Sequence, residues 1–445
     1  MASSLEYERL IIEGALGMNS LTSFYMNVSS NTHARAKLTG YIRDDSEVLA
    51  WQQECNEQKA TVYVKEGSTK KTLFDGYIMD AGVEYVDDLK LLTIELVSVS
   101  ISLDREIKSR SFQDVSKTYA VTIKEVIDDG EKTRCGYNSD EMQKPAKPLI
   151  QYAETDWQFV KRLASHLGTV VFPDVESRMP NIWVGLPIAN EKVSFDESMY
   201  YVHGISSHFY ELGGKAAGLS KGQFEFYRVT TYTNAALGGA VEFKGKSWYI
   251  VEKSAEIRKG EVVFIYTLGK EEFIKSRKEY NPVFAGMSIL GNIIEVNGEK
   301  VKLHLDIDKQ QDASSAYPYL WTPDTGSVMY CMPETGTTVS LYFSDQDEFT
   351  AKAVNCVRHN GESCSKMSDT SKRTLTTDSG KNMYLYADSV GFDIEDTGLK
   401  FDLADEEGVA VTSAKTITIY AEDSIKLTGK NVYLDTPNEI VIARM

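Results

Sequence analysis

Cysteine is scarce here and scattered. The 445 residues hold five, Cys55, Cys135, Cys331, Cys356 and Cys364, and an odd number at irregular spacing is no disulfide framework. Excess positive charge is also missing. Lys and Arg number 48 against 65 Asp and Glu, a net charge of −17. Such a chain repels phosphate backbones and anionic lipid, which excludes nucleic-acid binding through a basic face and stable docking on an acidic membrane. No window reaches the ~20 apolar residues of a spanning helix. The most apolar stretch, "LKLLTIELVSVSISL", is broken by Lys90, Glu95 and serines and reads as strand. The start, "MASSLEYERLIIEG", has no basic end followed by an apolar run, so the expectation is synthesis in the cytoplasm without a signal peptide.

Catalytic signatures are equally thin. Neither G-x-S-x-G nor H-E-x-x-H occurs, and "LGGKAAGLSKG" lacks the Gly-Lys-Ser/Thr ending of a phosphate cradle. Cys356, His359 and Cys364 stand as C-x2-H-x4-C with no fourth ligand nearby, whereas structural zinc wants four. Cys356, inside "AVNCV", reads instead as a small core residue. His203 and His208 in "YVHGISSHFY" read as barrel surface or loop. Among 65 carboxylates, pairs posing as acid and base arise by chance. No catalytic, cofactor-binding or metal residue is assigned.

What the chain does have is strands, and length for roughly three or four domains. The expected fold class is mainly β. Residues 1–105 read as a first β-barrel, with "LFDGYIMDAGVEYVDDLKLLTIELVSVSISLD" as a long hairpin turning at "VDD". Its second strand changes phase after Leu96, which predicts a bulge. Residues 106–190 read as an α/β insert. There "TYAVTIKEVIDD" predicts a short helix. "YAETDWQFVKRLASHLGTVVF" predicts a longer one, with Thr155 and Gln158 at capping-box spacing, an apolar stripe of Phe159, Val160, Leu163 and Leu167, and Gly168 as its stop. Residues 191–280 read as a second barrel of short strands and Gly-containing turns. Residues 281–360, with "NIIEV", "KVKLHLDI", "SVMYCM", "TTVSLYF" and "TAKAVNCV", suit a five-stranded OB-fold. Residues 361–380, polar and rich in Ser and Thr, read as a linker.

The tail, 381–445, is a repeat. Apolar residues stand two apart, and so on one face of a strand. The pairs are Met383 and Leu385, Phe392 and Ile394, Phe401 and Leu403, Val409 and Val411, Ile417 and Ile419, Ile425 and Leu427, Val432 and Leu434, and Ile440 and Ile442. A new pair comes every seven to nine residues, with Gly, Asp, Asn and Ser between. A plain antiparallel sheet of hairpins leaves one face of this pattern uncovered. A single-chain β-helix needs ~20 or more residues per coil. The solution preferred here is an intertwined trimeric β-helix, a β-prism in which each pair meets its equivalents from two other copies. Eight steps of ~4.8 Å give a rod roughly 40 Å long. The sixteen residues of the eight pairs are thus its expected trimer core.

In this order, the segments resemble the spike proteins of contractile injection machines: VgrG proteins of type VI secretion, hub-spikes of phage tails and tailocins, and spikes of extracellular injection systems. "SRSFQDVSKTYAVTIKEVI" (109–127) resembles the segment after the first hub barrel. "QYAETDWQFVKRLASHLGTVVF" (151–172) resembles the hub helix and "NIWVGLP" (181–187) its short turn. "LGGAVEFKGKSWYIVEKSAEIRKGEVVFIYTL" (237–268) resembles the close of the second barrel. "GNIIEVNGEKVKLHL" and "CMPETGTTVSLYF" resemble the OB module. The resemblance implies a non-enzymatic homotrimer that caps the tail tube with two hub barrels per chain and points its prism at the target envelope. Implied partners are the tail-tube or tube-initiator protein, baseplate proteins, a PAAR-type tip protein on the C-terminal end, and effector cargo. The implied setting is the baseplate of a phage tail-like or secretion particle, delivered to the target cell envelope. The sequence departs from relatives that carry a lysozyme domain before the prism, an effector after it, or a histidine-rich iron tip. The alternatives weighed are a peptidoglycan-degrading phage tail spike and a trimeric receptor-binding fibre.

Overall fold

The computed structural model describes residues 5–6, 10–53, 57–66, 69–128, 133–190, 192–196, 199–323, 331–357, 369–377 and 379–442. The chain forms two compact units, Met1–Val357 and Arg358–Met445. The fold is mainly β, as the strand-rich sequence requires.

In the first unit a sheet of 13 strands dominates. Its first half runs in the order Met18–Val28, Arg35–Ile42, Leu89–Ser98, Thr69–Val86, Lys59–Glu66, Leu10–Glu13. Its second half runs outward as Lys246–Arg258, Glu261–Gly269, Glu225–Thr231, Tyr201–Ile205. The halves correspond to the two expected barrels, but they share one sheet. Lys253, Ser254, Ala255 and Glu256 pair antiparallel with Val28, Asn27, Met26 and Tyr25. Alternation explains the burial: in Arg35–Ile42, Ala36, Leu38 and Ile42 point inward while Arg35, Lys37 and Tyr41 point to water. One core cluster, including Phe24, Leu38, Leu92, Trp248 and Phe264, lies beneath both halves.

The long hairpin turns where expected, with Asp87 in the left-handed region at φ 51°. The bulge, however, lies in its first strand: the register steps from Ile78↔Leu96 to Asp80↔Glu95 and passes over Met79. The phase change after Leu96 has another cause. The strand ends at Ser98 and a 3-10 turn, Val99–Asp104, takes over.

The insert carries the two expected helices, Tyr119–Ile127 and Asp156–His166. Thr155 and Gln158 form the full reciprocal capping box, and Gly168 follows at φ 70°. The helix buries Trp157, Phe159, Val160, Leu163 and Ala164. It also buries Arg162, which no apolar stripe would predict. The Arg162 guanidinium donates Nε to Glu154 Oε1 at 2.9 Å, Nη2 to Glu154 Oε2 at 2.7 Å, Nη1 to Glu348 Oε2 at 2.5 Å, and Nη2 to the Ile150 carbonyl at 2.7 Å. Glu348 lies far along the chain, in the turn Glu348–Thr350 of the OB module. The cluster therefore ties insert to module. Burial pushes the Glu348 carboxyl above its ordinary range, and the Arg162 charge opposes that shift.

The module has five strands in the order Pro318–Leu320, Lys300–Leu305, Ser288–Asn297, Thr338–Tyr342, Lys352–Cys356. Most of the expected strand "SVMYCM" falls outside the described residues, and Pro318–Leu320 takes the third place in the chain order. Cys356 is exposed at the end of its strand, against expectation; Ala353 supplies the buried small residue there. Ile150 of the insert belongs to the module's core cluster.

His166 ends the helix Asp156–His166, and its Nε2–H donates a hydrogen bond to the Glu279 carbonyl oxygen at 3.1 Å. Burial, with Arg162 and Lys278 nearby, pushes its pKa down to about 4. The folded unit thus prefers the neutral ring. Its contribution to stability is whole above the ordinary histidine value of about 6.5 and is lost as pH falls from there towards 4. Denaturant unfolding between pH 7 and 4 is expected to show this acid-side loss in the parent chain and a smaller one in His166→Gln. Equal slopes in the two would remove His166 from the account.

Candidate functional site: an uncovered apolar sheet face

The second unit holds a sheet of five strands: Arg373–Thr376, Lys381–Leu385, Ser389–Ile394, Leu399–Ala404 and Gly408–Thr412, paired in chain order and all antiparallel. The sheet begins eight residues before the expected start at 381, inside the stretch read as linker; residues 361–368 of that stretch lie outside the described residues. Short polar turns allow each reversal. Gly380, Asp396, Gly398 and Gly408 all have positive φ, a region that glycine and aspartate enter most easily.

The register sorts the side chains. Directly paired residues share a face, so one row runs Leu375, Met383, Phe392, Phe401, Val411. A second runs Leu385, Val390, Leu403, Val409, and Ile394 sits opposite Leu399. All eleven are apolar and all stand on the same face. Four of the expected pairs are thus gathered side by side: Met383 with Leu385, Phe392 with Ile394, Phe401 with Leu403, and Val409 with Val411. Most of this face is open within the chain: Phe392 is 52% exposed, Phe401 38% and Val409 68%.

The other face is polar and finished. Tyr384 lies buried there and donates its hydroxyl to Asp402 Oδ1 at 2.7 Å, while Lys400 Nζ holds Asp402 Oδ2 at 2.5 Å. Lys400 and then Tyr384 hold the Asp402 carboxyl below its usual range. Gly391 leaves room for this: a Cβ there would sit 2.5 Å from the Tyr384 hydroxyl. One face of the sheet is thus polar, and the other is apolar apart from Arg373 and Lys381, which stand opposite Leu385 and Ile394.

The last four pairs stand apart from the sheet's strands. Ile417 and Ile419, Ile425 and Leu427, Val432 and Leu434, and Ile440 and Ile442 lie in residues 413–442, which form no helix or strand in the single chain. Ile417, Ile419, Ile425, Leu427, Val432, Leu434, Ile440 and Ile442 are all more than half exposed in the single chain. The physical reason is the lack of a partner. A strand this short gains too little from its own contacts to offset the entropy of ordering it, and the single chain offers these residues no second surface.

Three members of the bare face have no place among the expected pairs: Leu375, Val390 and Leu399. The last two extend pairs into triplets, Val390 with Phe392 and Ile394, and Leu399 with Phe401 and Leu403, a period-two signal that is present in the sequence. Leu375 is hidden in the Ser- and Thr-rich stretch. Of the residues weighed for metal, His359 and Cys364 lie outside the described residues. His203 Nε2 meets Glu225 Oε1 at 2.8 Å and its ring stacks on Tyr227. His208 pairs with Glu211 on a short helix.

Residues 43–180 match the family model of the phage tail baseplate hub (GPD). That segment runs from the first half of the large sheet through the hub helix. The fold is shared more widely. The E. coli c3393 protein, a component of the type VI secretion system similar in structure to the T4 bacteriophage tail proteins gp27 and gp5, superposes with a TM-score of 0.57 at 14% identity, over 78% of this chain and 99% of its own. A chain of the half-lidded Francisella PdpA–VgrG complex superposes at 0.53 and 9% identity, over 88% of this chain and 84% of its own. The lidless complex gives 0.53 and 8%, over 88% and 94%. No curated protein matches the chain in sequence. The resemblance drawn from "SRSFQDVSKTYAVTIKEVI", "QYAETDWQFVKRLASHLGTVVF" and the segments around them therefore stands at the level of hub segment and fold.

Proposed function

We propose that this chain is the hub-spike of a contractile injection machine, and that it works as a homotrimer. In this reading the first unit caps the tail tube and the tail forms the membrane-puncturing needle. The work is mechanical and not enzymatic. Sheath contraction drives the tube, and a rigid prism concentrates the force on a small area. Tail-tube and baseplate proteins contact the hub, and a PAAR-type tip protein sits on the needle, with effector cargo as a further passenger. The observation that carries the reading is the bare apolar face. Covering a half-exposed large apolar side chain is worth about 1 kcal/mol, so covering eleven is worth on the order of 10 kcal/mol per chain. Three such sheets, each turning its bare face inward, cover one another and leave three polar faces outside. The same assembly gives Ile417, Ile419, Ile425, Leu427, Val432, Leu434, Ile440 and Ile442 the partners that one chain lacks.

Light scattering on the purified full chain tests this directly. The expected mass is three times that of one chain, and it should hold on dilution to nanomolar concentration. A monomer at micromolar concentration would overturn the trimer, and cell-wall clearing in a zymogram would overturn the non-enzymatic role.

A further inference from the structure

A cavity of about 190 Å³ opens at the seam where the two halves of the large sheet join. Val28 of the first half and Lys253 of the second are direct partners across that seam, and both line the cavity. The insert adds residues 173–176 and Trp183, and Leu237 comes from the stretch before Ala240–Phe243. These segments are pressed together. Gly238 stands at φ 79°, and a Cβ there would lie 1.7 Å from the carbonyl oxygen of Pro187, another wall residue.

Residues 173–176 form one side of the cavity, and their backbone is fixed. The Asp75 N–H donates to the Val175 carbonyl at 2.8 Å, and the Asp174 N–H donates to the Asn181 carbonyl at 3.0 Å. Val175 itself is buried in the core cluster beneath the large sheet. The Glu176 N–H donates to Asp174 Oδ1 at 3.0 Å, which holds the two acidic residues in one tight turn. A wall fixed in this way loses little freedom when a ligand enters.

The charge on this wall is unbalanced. Among the described residues, neither Asp174 nor Glu176 has an ion-pair partner. Arg178, the nearest cation in sequence, turns instead to Asp75 and the Tyr63 hydroxyl. Burial pushes the Asp174 carboxyl above its ordinary range, against hydrogen bonds from Glu176, Asn181 and Ser177. Lys253 is buried and its ammonium is engaged elsewhere. It donates to Asn234 Oδ1 at 3.0 Å and lies 5.7 Å from the centre of the Phe264 ring. Two carboxylates at an apolar cavity therefore lack the counter-charge that buried anions require.

Size decides between ligand classes. Sites for drug-sized molecules measure roughly 300–1,000 Å³, so this cavity is too small for one of them and suits a single long side chain. We infer that it receives an arginine side chain of a partner protein. Val28, Trp183 and Leu237 offer an apolar wall to the aliphatic stem. Asp174 and Glu176 offer carboxylates to the guanidinium, whose planar fork of donors matches them. Lysine carries the same charge without the fork. Arginine is also a residue that anchors protein interfaces by filling pockets. Every lining residue belongs to one chain, so the site stands or falls apart from the trimer.

Saturation-transfer NMR on the full chain tests the site, with N-acetyl-arginine amide as the probe. Transfer to the probe's side-chain protons is expected at millimolar probe. N-acetyl-citrulline amide, of nearly the same shape but uncharged, should receive several-fold less. Glu176→Gln, at an exposed position, should lower transfer to the arginine probe several-fold. Asp174→Asn with Glu176→Gln should remove it while the melting temperature stays near that of the parent. No transfer to the arginine probe in the parent chain would overturn the site, and so would a double variant that binds as the parent does. Equal transfer to the citrulline amide would overturn the role of charge. Equal transfer to N-acetyl-lysine amide would overturn the choice of arginine. The two amide comparisons use the parent chain alone, so they hold even if the double variant fails to fold.

Discussion

Phe392→Asp combined with Phe401→Asp yields a chain that no longer assembles. The two residues are direct partners across neighbouring strands, and their rings lie 6.5 Å apart at the centre of the bare face. In a trimer that buries this face, the double variant places six carboxylates in a dry core. Each costs several kcal/mol to desolvate, so the two in each chain offset most of the order of 10 kcal/mol per chain that covering the face provides, and the loss of two apolar rings lowers that gain further. Light scattering should report monomers across the micromolar range. The first unit, which has its own core, should keep its cooperative unfolding. Thr412→Asp is the matched control, since Thr412 stands opposite Lys400 on the polar face, and it should assemble as the parent does. An intact trimer from the double variant would mean that this face is not the interface.

The second large effect belongs to Arg162. Arg162→Ala leaves the carboxylates of Glu154 and Glu348 buried without their counter-charge, and Glu348 Oε1 already lacks a hydrogen-bond partner among the described residues. Breaking a buried pair in this way costs about 3–5 kcal/mol. Arg162→Lys keeps the charge but loses the fork that reaches Glu154, Glu348 and the Ile150 carbonyl together, so it should fall between. Arg162→Met with Glu154→Gln and Glu348→Gln removes the charges as a set and should recover much of the loss. Denaturant midpoints of the four chains give the comparison. A loss below about 1 kcal/mol in Arg162→Ala would show that water or a shifted carboxyl proton already satisfies the cluster.

Local features of this fold are legible in the sequence. The hub helix is readable because Thr155, Gln158, the apolar stripe and Gly168 all act within a few residues of one another. The tail pairs are readable because period two survives in any strand, whatever it packs on. What the pattern does not carry is when the strand forms. Phe392 and Ile394 find neighbours inside the chain, whereas Ile425 and Leu427, with the same spacing, find none. The long-range features are not legible either. The continuity of the large sheet depends on Tyr25–Val28 meeting Lys253–Glu256, and nothing local in either stretch announces the other. Arg162 looks like a solvent-facing helix residue because its partner Glu348 lies so far along the chain. Pro318–Leu320 is not legible because its proline weakens the strand signal.

The bare face also bears on the order of events during synthesis. The first unit owns a complete core and reaches the ribosome exit before the tail, so it can fold from its own residues at any dilution. The tail has no such independence, and its last thirty or so residues find no strand partner in the single chain. In the proposed trimer, hubs that have already joined would hold their three tails at a local concentration in the millimolar range, the value typical of short tethers. Needle formation would then be effectively unimolecular. On the proposed reading it would wait on a census of copies, and a lone chain would keep its point unsharpened.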